Sequence, residues 1–419
     1  MPTFTMKALT SLLFCYLLLC LSLNATEQSL SGLIVGLDTI PKRVAVQNPS
    51  LAAARWQIAE AEARLRGSGL RDNPELEAGF QHNSTLREGS IEVGVSQRFP
   101  VTNRLALEQR VSATLVQQAQ AEVQAVERAL IVEARALLIE VITLRQQQAL
   151  RTQQTEVSQA LAKFISEAAS RAELSSLDAA QAKLNAAKLQ TEIPSLKAAE
   201  ITATGKLKPL LGMNPTDQLH IAGQELPTPS LSRSSLNLSN RPDFQASQLA
   251  AKAANEQIDL EKSRRYDDIE LGVVAGLERE EDAPEGFETE GIIGVRVKLA
   301  LPFWQKNEAA IQEAQARAER KKLETVSLAE NIKHQAKASY DEMIEWAALL
   351  ENLDQNLLTQ ASQLASESEK AYREGLGDLQ AALRAREQQL ELSDTRIETL
   401  KQFHLSRVRY EAATGTSSF

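Results

Sequence analysis

The stretch 93–104 reads VGVSQRFPVTNR and joins an alternating, strand-like pattern to a proline and then to a long polar helix. A related stretch, VRVKLALPFWQKN, occupies 295–307. Pro100 and Pro302 are 202 positions apart, and the same offset relates Arg104 to Lys306. It recurs in four later pairs: Leu174 with Leu376, Leu177 with Leu379, Ala179 with Ala381, and Ala180 with Ala382. Repetition at a fixed offset predicts an internally duplicated chain.

Composition narrows the class of fold. Only 4% of the 419 residues are aromatic, and Ala, Gln, Glu, Leu and Arg dominate long stretches. This bias is typical of long helices that pack closely through small side chains. The net charge of −9 offers no basic surface for nucleic acid, so a nucleic-acid-binding role is excluded.

The N-terminal residues 1–25 carry an apolar run after Lys7 and are predicted to be a secretory signal peptide, with cleavage after Ala25. Cys15 and Cys20 both lie in this segment, so we expect a mature chain without disulfides or thiolate chemistry. Lipid attachment to Cys20 remains an alternative, although Leu19 stands where a small residue is expected before a modified cysteine.

The periodicity predicts the same order of elements in both halves: a helix, a β-hairpin, a long helix and a shorter helix. In the first repeat, 26–208, these are 41–70, 74–82 with 91–99, 105–166, and 174–208 interrupted at Pro194. In the second repeat, 244–413, they are 244–265, 268–277 with 291–301, 309–371, and 376–413. A linker rich in Gly, Pro, Ser and Asn, 209–243, separates the repeats, and 414–419 form a tail. The acidic segment 278–290 is predicted to be a solvated loop.

The four predicted strands are about nine to eleven residues long, which is the length that a tilted strand needs to cross a bilayer. Cations at alternate positions suit a water-filled barrel interior, so Arg98, Arg296 and Lys298 are predicted to face a lumen. Four strands cannot close a barrel, and open sheet edges are not tolerated in lipid, so self-association is expected. Three copies would supply twelve strands. A soluble sheet that caps a helical rod remains the alternative.

Five motifs then suggest a family. They are NPxLxAAR at 48–55, LRDNPEL at 70–76, QRFP at 97–100, LPF at 301–303 followed by Lys306 and Asn307, and AYRxG at 371–375. In this order and spacing they resemble TolC-family outer-membrane efflux proteins, and the similarity covers nearly all of the mature chain. Within that family, the opening motifs are most like those of heavy-metal cation efflux systems of the cobalt–zinc–cadmium and copper–silver types.

The resemblance implies an α+β membrane protein in the outer membrane of a Gram-negative bacterium. Three identical chains would form a twelve-stranded β-barrel that continues as a long periplasmic α-helical barrel, with an equatorial region built from 205–243 and the chain ends. The function implied is a passive exit duct for heavy-metal cations, with a periplasmic adaptor protein and an inner-membrane RND transporter as partners. A duct for multidrug efflux or type I protein secretion is the alternative within this fold. A non-channel periplasmic scaffold or adaptor is the alternative from another class.

The resemblance also assigns candidate functional residues. Pro100 and Pro302 are predicted strand-to-helix joints, because proline fits both a strand end and a helix N-terminus. The periplasmic turns, which close the tunnel and meet the adaptor in this family, are predicted to include Arg171, Leu174, Asp178, Tyr372, Gly375 and Asp378. Some family members carry an acidic ring just after the second turn, but Ala381 and Arg384 stand at the corresponding positions here. Asp178 and Asp378 could supply such a ring instead.

Neither an enzyme nor a resident metal site is indicated. The sequence contains no Gly-rich phosphate loop and no nucleophile elbow, so we predict no catalytic residues and no cofactor. The four histidines, His82, His220, His334 and His404, are not within metal-ligand spacing of one another. A metal cargo would therefore pass through the duct without being coordinated.

Overall fold

The computed structural model describes residues 34–84, 87–223, 225–282, 284 and 286–415. The predicted signal peptide 1–25 and Cys20 lie outside the described residues, as do 416–419 of the predicted tail. The described strands are β1 (Ile34–Val35), β2 (Glu75–His82), β3 (Gly89–Phe99), β4 (His220–Ile221), β5 (Ile269–Asp282) and β6 (Gly286–Lys298). The described helices are α1 (Ile40–Gln47), α2 (Pro49–Gly67), α3 (Arg104–Ser170), α4 (Ser176–Leu210), α5 (Pro242–Ser263), α6 (Glu308–Asn352), α7 (Leu358–Arg373) and α8 (Leu379–Thr414).

Four strands form one antiparallel sheet in the order β2–β3–β5–β6. Its register places Leu76 opposite Val95, Val95 opposite Val273 and Val273 opposite Val295. The two alternating hairpins of the sequence therefore lie side by side, joined through β3 and β5. The first hairpin agrees with the predicted strands to within about two residues.

The second hairpin differs from its prediction. Strand β5 continues to Asp282 and β6 begins at Gly286, so most of the acidic segment 278–290 is strand and not loop. At its other end, β6 stops at Lys298 and does not reach Leu301. Acidic charge indicated a loop, but the extension projects beyond β3, whose pairing with β5 ends at Gly89. Water can therefore solvate the carboxylates there while the two strands keep their backbone hydrogen bonds.

The first long helix, α3, runs for 67 residues without a break, which corresponds to about 100 Å. Its sequence contains neither proline nor glycine, so nothing local interrupts the backbone hydrogen bonds. The second long helix, predicted as 309–371, is divided into α6 and α7 by a π-helical turn, Leu353–Leu357. A π-helical turn inside a helix relaxes the regular hydrogen-bond ladder locally.

Two other helix predictions are wrong in detail. The segment predicted as one helix, 41–70, is two helices that meet at Asn48, because Pro49 disfavours a helical conformation in the residue before it. Within α2, Leu51 and Ala61 are buried. In contrast, α4 runs through Pro194 without a break. Gln190 and Pro194 are both exposed, so water can bind the carbonyl that proline leaves unpaired.

The helices pack around two apolar clusters. The larger, which we call the central cluster, joins α1, α3, α4, α6 and α8 through residues that include Val44, Leu138, Ile142, Leu207, Leu350 and Leu400. The smaller, which we call the turn cluster, lies beside the two helical turns and contains Leu161, Ala162, Ile165, Ala179, Ala182, Tyr372, Leu379 and Ala382. Half of the residues in the turn cluster are alanine, as expected of helices that approach closely through small side chains, whereas Leu, Ile and Val dominate the central cluster.

The helices lie in a fixed lateral order that matches the order of the strands. Helix α3 contacts α2 and α4 on one side and α5 and α8 on the other, while α6 contacts α5 and α8. Helices α2 and α4 therefore lie at the side of β2, and α6 and α7 lie at the side of β6. Among the described helices, none is both long and apolar enough to cross a membrane.

The segment between α4 and α5 forms few regular elements. Strand β4 pairs in parallel with β1, and a short 3-10 turn, Leu238–Asn240, precedes α5. The rest of this segment runs along α8: the Tyr410 hydroxyl donates to the carbonyl of Ser234 at 2.9 Å, and His404 Nε2 lies 2.8 Å from the carbonyl oxygen of Pro227. These contacts fix the C-terminal helix to the middle of the molecule.

The two halves correspond, although not at one constant offset. The left-handed turn residues Ala172 and Gly375 are 203 positions apart, whereas Pro100 and Pro302 are 202 apart. The residues that precede α4 and α8, Ser175 and Asp378, are likewise 203 apart. The pairs predicted after residue 170 are therefore misaligned by one residue. The second half has one extra residue before its turn, which similarity of side chains did not reveal.

Candidate functional site

One face of the sheet is apolar in its middle part, while Gln97 lies on it toward one end and His82 and Arg279 toward the other. Because residues opposite each other in a β-ladder share a face, the register assigns these side chains to it: Leu76, Ala78, Phe80, Ile91, Val93, Val95, Phe99, Ile269, Leu271, Val273, Ala275, Leu277, Ile293, Val295 and Val297. Many are strongly exposed, among them Ile293 at 83% and Val295 at 77%. No other part of the described chain covers this face, which is larger than the apolar patches usual on a soluble monomer.

The opposite face carries paired charges. Arg98 lies 3.3 Å from Glu75 and 3.5 Å from Glu270, and Lys298 lies 3.7 Å from Glu270. Arg296 donates to Glu77 at 2.9 Å. The predicted lumen residues Arg98, Arg296 and Lys298 therefore lie together on the polar face, where carboxylates of neighbouring strands balance them. Glycines such as Gly94 and Gly272 lie between them and keep this face shallow.

The two predicted strand-to-helix joints have different geometries. Pro100 directly follows β3 and stands four positions before Arg104, the first residue of α3. Arg104 donates to Asp268 at 2.7 Å, which ties the beginning of α3 to the beginning of β5. Pro302 lies four residues beyond β6, inside a looser connection that ends at Asn307. Asn307 has a left-handed conformation with φ 56° and donates to Glu261 of α5.

The two helical turns, 171–175 and 374–378, lie side by side at the end of the molecule remote from the sheet. Gly375 has φ +73°, a conformation that glycine adopts without steric cost. In the first turn the left-handed residue is Ala172, with φ 60°. Arg171 is exposed and pairs with Glu173 at 3.1 Å, whereas Leu174 packs against the turn cluster.

The long helices form two helical hairpins, one of α3 with α4 and the other of α6 and α7 with α8. A hydrogen bond connects these two hairpins at this end. The hydroxyl of Tyr372, at the end of α7, donates to Asp178 Oδ2 in the first turn of α4 at 3.1 Å. Tyr372 is buried in the turn cluster. Burial, the hydrogen bond to Asp178 and the charges of Asp178 and Asp378 raise the pKa of Tyr372 to about 12. The hydroxyl therefore keeps its proton at neutral pH and remains a donor.

The other predicted turn residues face solvent. Asp378 precedes α8 and is exposed, as are Ala381 and Arg384. Asp178 and Asp378 both lie close to Tyr372, but only Asp178 accepts a hydrogen bond from it. The structure thus brings Asp178 and Tyr372 together and leaves Asp378 free to face another molecule.

A second group of charges, which the sequence did not single out, lies farther from the turns. Arg151 of α3 binds Glu192 of α4 at 2.5 Å and also Asp394 of α8. Burial raises the pKa of Asp394, and the charge of Arg151 offsets this only in part. Nothing in the sequence marks this group, since Arg151 is separated by 41 residues from Glu192 and by 243 from Asp394.

A third group ties α7 to α8. Arg386 donates to Glu369 at 2.5 Å, and Arg373 donates to the same carboxylate at 2.7 Å. Burial alone would raise the pKa of Glu369, but the two arginines outweigh it and lower that pKa. The guanidinium of Arg373 also stacks on Phe164 of α3, 5.1 Å from the ring centre. The two helices of this hairpin are therefore tied together, and Arg373 also reaches α3 of the other hairpin.

Within the described residues, no group of three or more His, Cys, Asp or Glu side chains could hold a metal ion. His82, His220 and His334 are exposed, and His404 is buried beside Phe403. Burial lowers the pKa of His404. Its ring lies against the segment that precedes α5, which indicates a structural role.

Comparison with known proteins places the fold. No protein-family model matches the chain, and no curated protein sequence is significantly similar to it. Solved structures do match. The outer-membrane channel OprN is 15% identical with a TM-score of 0.76, over 90% of this chain and 89% of that one. CusC, a transmembrane channel, is 17% identical with a TM-score of 0.73, over 91% and 92%. The outer membrane protein VceC from Vibrio cholerae is 18% identical with a TM-score of 0.72, over 90% and 96%.

These likenesses establish that the chain has the fold of TolC-like outer-membrane channels along nearly its whole described length. OprN and CusC are both described as channels. The mixed helix and sheet architecture predicted from the sequence is confirmed to that extent.

Proposed function

We propose that three copies of this chain form an outer-membrane channel, and that the channel is the passive exit duct of a tripartite efflux pump. The observation that carries the proposal is the division of the sheet into an exposed apolar face and an ion-paired polar face. In water the apolar face would promote aggregation, whereas in a membrane lipid chains would cover it favourably. The polar face would then line an aqueous bore.

The edges of the sheet support a closed assembly of several chains. Strands β2 and β6 each pair on one side only in the described chain. Their free backbone groups need partners inside a bilayer, because no water is available there. Pairing β2 of one copy with β6 of the next satisfies both edges, and three copies of four strands close a barrel of a common size.

The helices support the same assembly. Helices α2 and α4 lie at the β2 side, and α6 and α7 lie at the β6 side. The rotation that pairs β2 of one copy with β6 of the next therefore also brings α2 and α4 of the first copy beside α6 and α7 of the second. Exposed apolar residues occur on both of these sides, including Trp56 and Leu184 on one and Leu323 and Leu364 on the other. The helical tunnel would continue the bore of the barrel for about 100 Å, a length that suits a periplasmic extension.

Transport through such a duct needs partners. The turns at 171–175 and 374–378 would close the periplasmic end, and a periplasmic adaptor protein would contact them there. An inner-membrane RND transporter would supply the energy. The Tyr372–Asp178 hydrogen bond supports a closed resting state, since it ties the two hairpins of each chain together.

Heavy-metal cations are the cargo that we propose. Support comes from the opening motifs, which resemble those of cation efflux components, and from the charge of the sheet. Glu278 and Glu290 face each other on the polar side of the β5–β6 extension. Acidic groups at the outer mouth would attract cations as they leave.

The assembly is tested by purifying the detergent-solubilised protein and measuring its mass and its conductance in a planar bilayer. We expect about three times the mass of one chain and ion-conducting pores. A monomer, or a trimer that never conducts, would contradict the channel.

The cargo is tested separately by deleting the gene and measuring tolerance to zinc, cobalt, cadmium and silver beside tolerance to drugs. We expect metal tolerance to fall. Loss of drug tolerance alone would reject heavy metals as the cargo while leaving the duct intact.

A further inference from the structure

The two helical hairpins of each chain are packed unevenly along their length. Near the middle of the molecule the central cluster joins them, and near the turns the turn cluster joins them. In α3, the central cluster ends at Leu144 and the turn cluster begins at Leu161. The intervening segment carries mostly polar side chains, such as Gln147, Arg151 and Gln154.

At this level the helices also line a cavity of about 720 Å³ that is open to solvent on one side. Four helices line it: α3 through Gln154, α4 through Leu189, α6 through Trp346, and α8 through Leu390 and Thr395. Close-packed interiors resist deformation, whereas a cavity without a continuous apolar contact leaves room for helices to move. We call this level of the molecule the waist.

The long helix formed by α6 and α7 is also irregular at the waist. The π-helical turn Leu353–Leu357 separates α6 from α7 there, and Asp354 within it accepts from Arg396 of α8 at 2.5 Å. A π-helical turn in an otherwise regular helix is a common place for bending. A polar gap, a cavity and a relaxed helical turn thus occur at one height.

Arg151 bridges the two hairpins at this height. It binds Glu192, which belongs to its own hairpin, and Asp394, which belongs to the other. Helices α3 and α4 pack together along the hairpin, so the contact with Glu192 can survive any movement of that hairpin as a unit. The contact with Asp394 cannot survive separation of the hairpins. Both side chains of the Arg151–Asp394 pair are largely shielded from water, which strengthens their attraction.

We propose that the two hairpins of each chain pivot on the central cluster when the duct opens, and that the Arg151–Asp394 contact at the waist is a latch that opposes this opening. The inference rests on the proposed function as a duct that closes at the turns. It adds a second restraint to the Tyr372–Asp178 bond, roughly 25–30 Å farther along the helices at 1.5 Å per residue. Opening would break Arg151 from Asp394 and leave Arg151 paired with Glu192.

The two carboxylates provide a matched pair of variants. Asp394→Asn and Glu192→Gln each remove one negative charge next to Arg151 and keep the shape of the side chain. We expect Asp394→Asn to raise the open fraction of single channels about tenfold, which is the scale of one lost charge-assisted hydrogen bond, and Glu192→Gln to change it less than about twofold. Equal effects of the two variants, or no effect of Asp394→Asn, would overturn the latch.

A second measurement reports hairpin separation without relying on conduction. Lys188 of α4 and Glu387 of α8 are exposed, and Lys188 Nζ lies 3.6 Å from Glu387 Oε1. In the double variant Lys188→Cys with Glu387→Cys, we expect a short thiol cross-linker to join the hairpins efficiently. Adding Asp394→Asn should slow cross-linking several-fold, whereas adding Glu192→Gln should not. An unchanged rate with Asp394→Asn would reject the latch.

The two measurements separate failure of the latch from failure of the duct. If the unmodified protein never conducts but cross-linking still depends on Asp394, the proposed function is wrong and the latch stands. If the unmodified protein conducts and neither readout depends on Asp394, the duct stands and the latch is wrong.

Discussion

At the scale of single residues, the molecule is held in its described state by a few polar contacts between helices that are far apart in sequence. Tyr372 and Asp178 connect the hairpins at the turns, and Arg151 connects them at the waist. Each contact is partly buried, so losing one partner leaves the other without its hydrogen bond in a place that water reaches poorly. These contacts are the natural targets for changing how the proposed duct opens.

Replacing Tyr372 by Phe removes only the hydroxyl that donates to Asp178. We expect a loss of about 1 kcal/mol from the closed arrangement, which is roughly a fivefold rise in open fraction measured in planar bilayers. Tyr340→Phe is the control, because Tyr340 packs against Tyr410 in a different cluster, with ring centres 5.1 Å apart. An equal response of both variants would show that the hydrogen bond does not restrain opening.

At the residue scale, the sequence identified Asp178 and Tyr372 as turn residues because the turn motifs are local. It did not identify Arg151, Glu192 or Asp394. An arginine and two carboxylates in long charged helices resemble every other solvated charge, and only packing of α3 between α4 and α8 brings them together.

At the scale of elements, the breaks in the helices are as informative as the helices themselves. Asn48 ends α1 and caps α2: its Oδ1 accepts from the backbone N–H of Leu51 at 2.9 Å, and its Nδ2 donates to the carbonyl of Leu210 at 2.8 Å. One side chain therefore begins α2 and anchors the end of α4. Pro49 fixes the break by making a helical conformation unfavourable at Asn48.

Substituting Asn48 by Ala removes both hydrogen bonds from a side chain that is 3% exposed. We expect the free energy of unfolding to fall by about 2 kcal/mol, since a lost N-cap and an unpaired buried carbonyl each cost about 1 kcal/mol. Denaturant titration followed by circular dichroism would measure the change.

The control is Asn237→Ala. Asn237 is exposed and caps only the short 3-10 turn before α5 through Ser239. We expect a change of about 0.5 kcal/mol there. A loss at Asn48 no larger than that at Asn237 would contradict the anchoring role.

At the scale of the whole molecule, the surfaces that one chain leaves unpaired or uncovered determine the assembly. The sheet has two unpaired edges and one uncovered apolar face, and the helices at each edge expose apolar side chains. Water, lipid and further copies would have to satisfy different parts of this surface. The proposed trimer in a bilayer assigns one to each: water to the polar face, lipid to the apolar face, and other copies to the edges.

Two adjacent isoleucines of β6 test this assignment. Ile293 lies on the apolar face and is 83% exposed, whereas Ile292 lies on the polar face opposite Gly276. Ile293→Arg should reduce the amount of protein that inserts into the membrane, because arginine facing lipid costs about 2–4 kcal/mol near the bilayer centre. Ile292→Arg should insert normally.

Membrane fractionation and the yield of heat-resistant oligomer would measure insertion of the two variants. Normal insertion of Ile293→Arg, or failure of both variants alike, would mean that the apolar face does not contact lipid.

Features that depend on neighbours along the chain could be predicted from the sequence alone. Alternation predicted the four strands and their two faces, the lack of proline and glycine predicted a helix as long as α3, and Pro100 predicted the point where β3 ends. Each of these depends on a few contiguous residues, so periodicity alone is sufficient to reveal it.

Features that depend on residues far apart in sequence became visible only in the folded chain. The fold revealed three of them. It extended β5 and β6 through the acidic segment, because each strand pairs with the other beyond the end of β3. It placed Arg151 between carboxylates of two other helices, and it opened a cavity at the waist. Such contacts arise from the lateral order of the helices, which long-range packing fixes and local pattern does not.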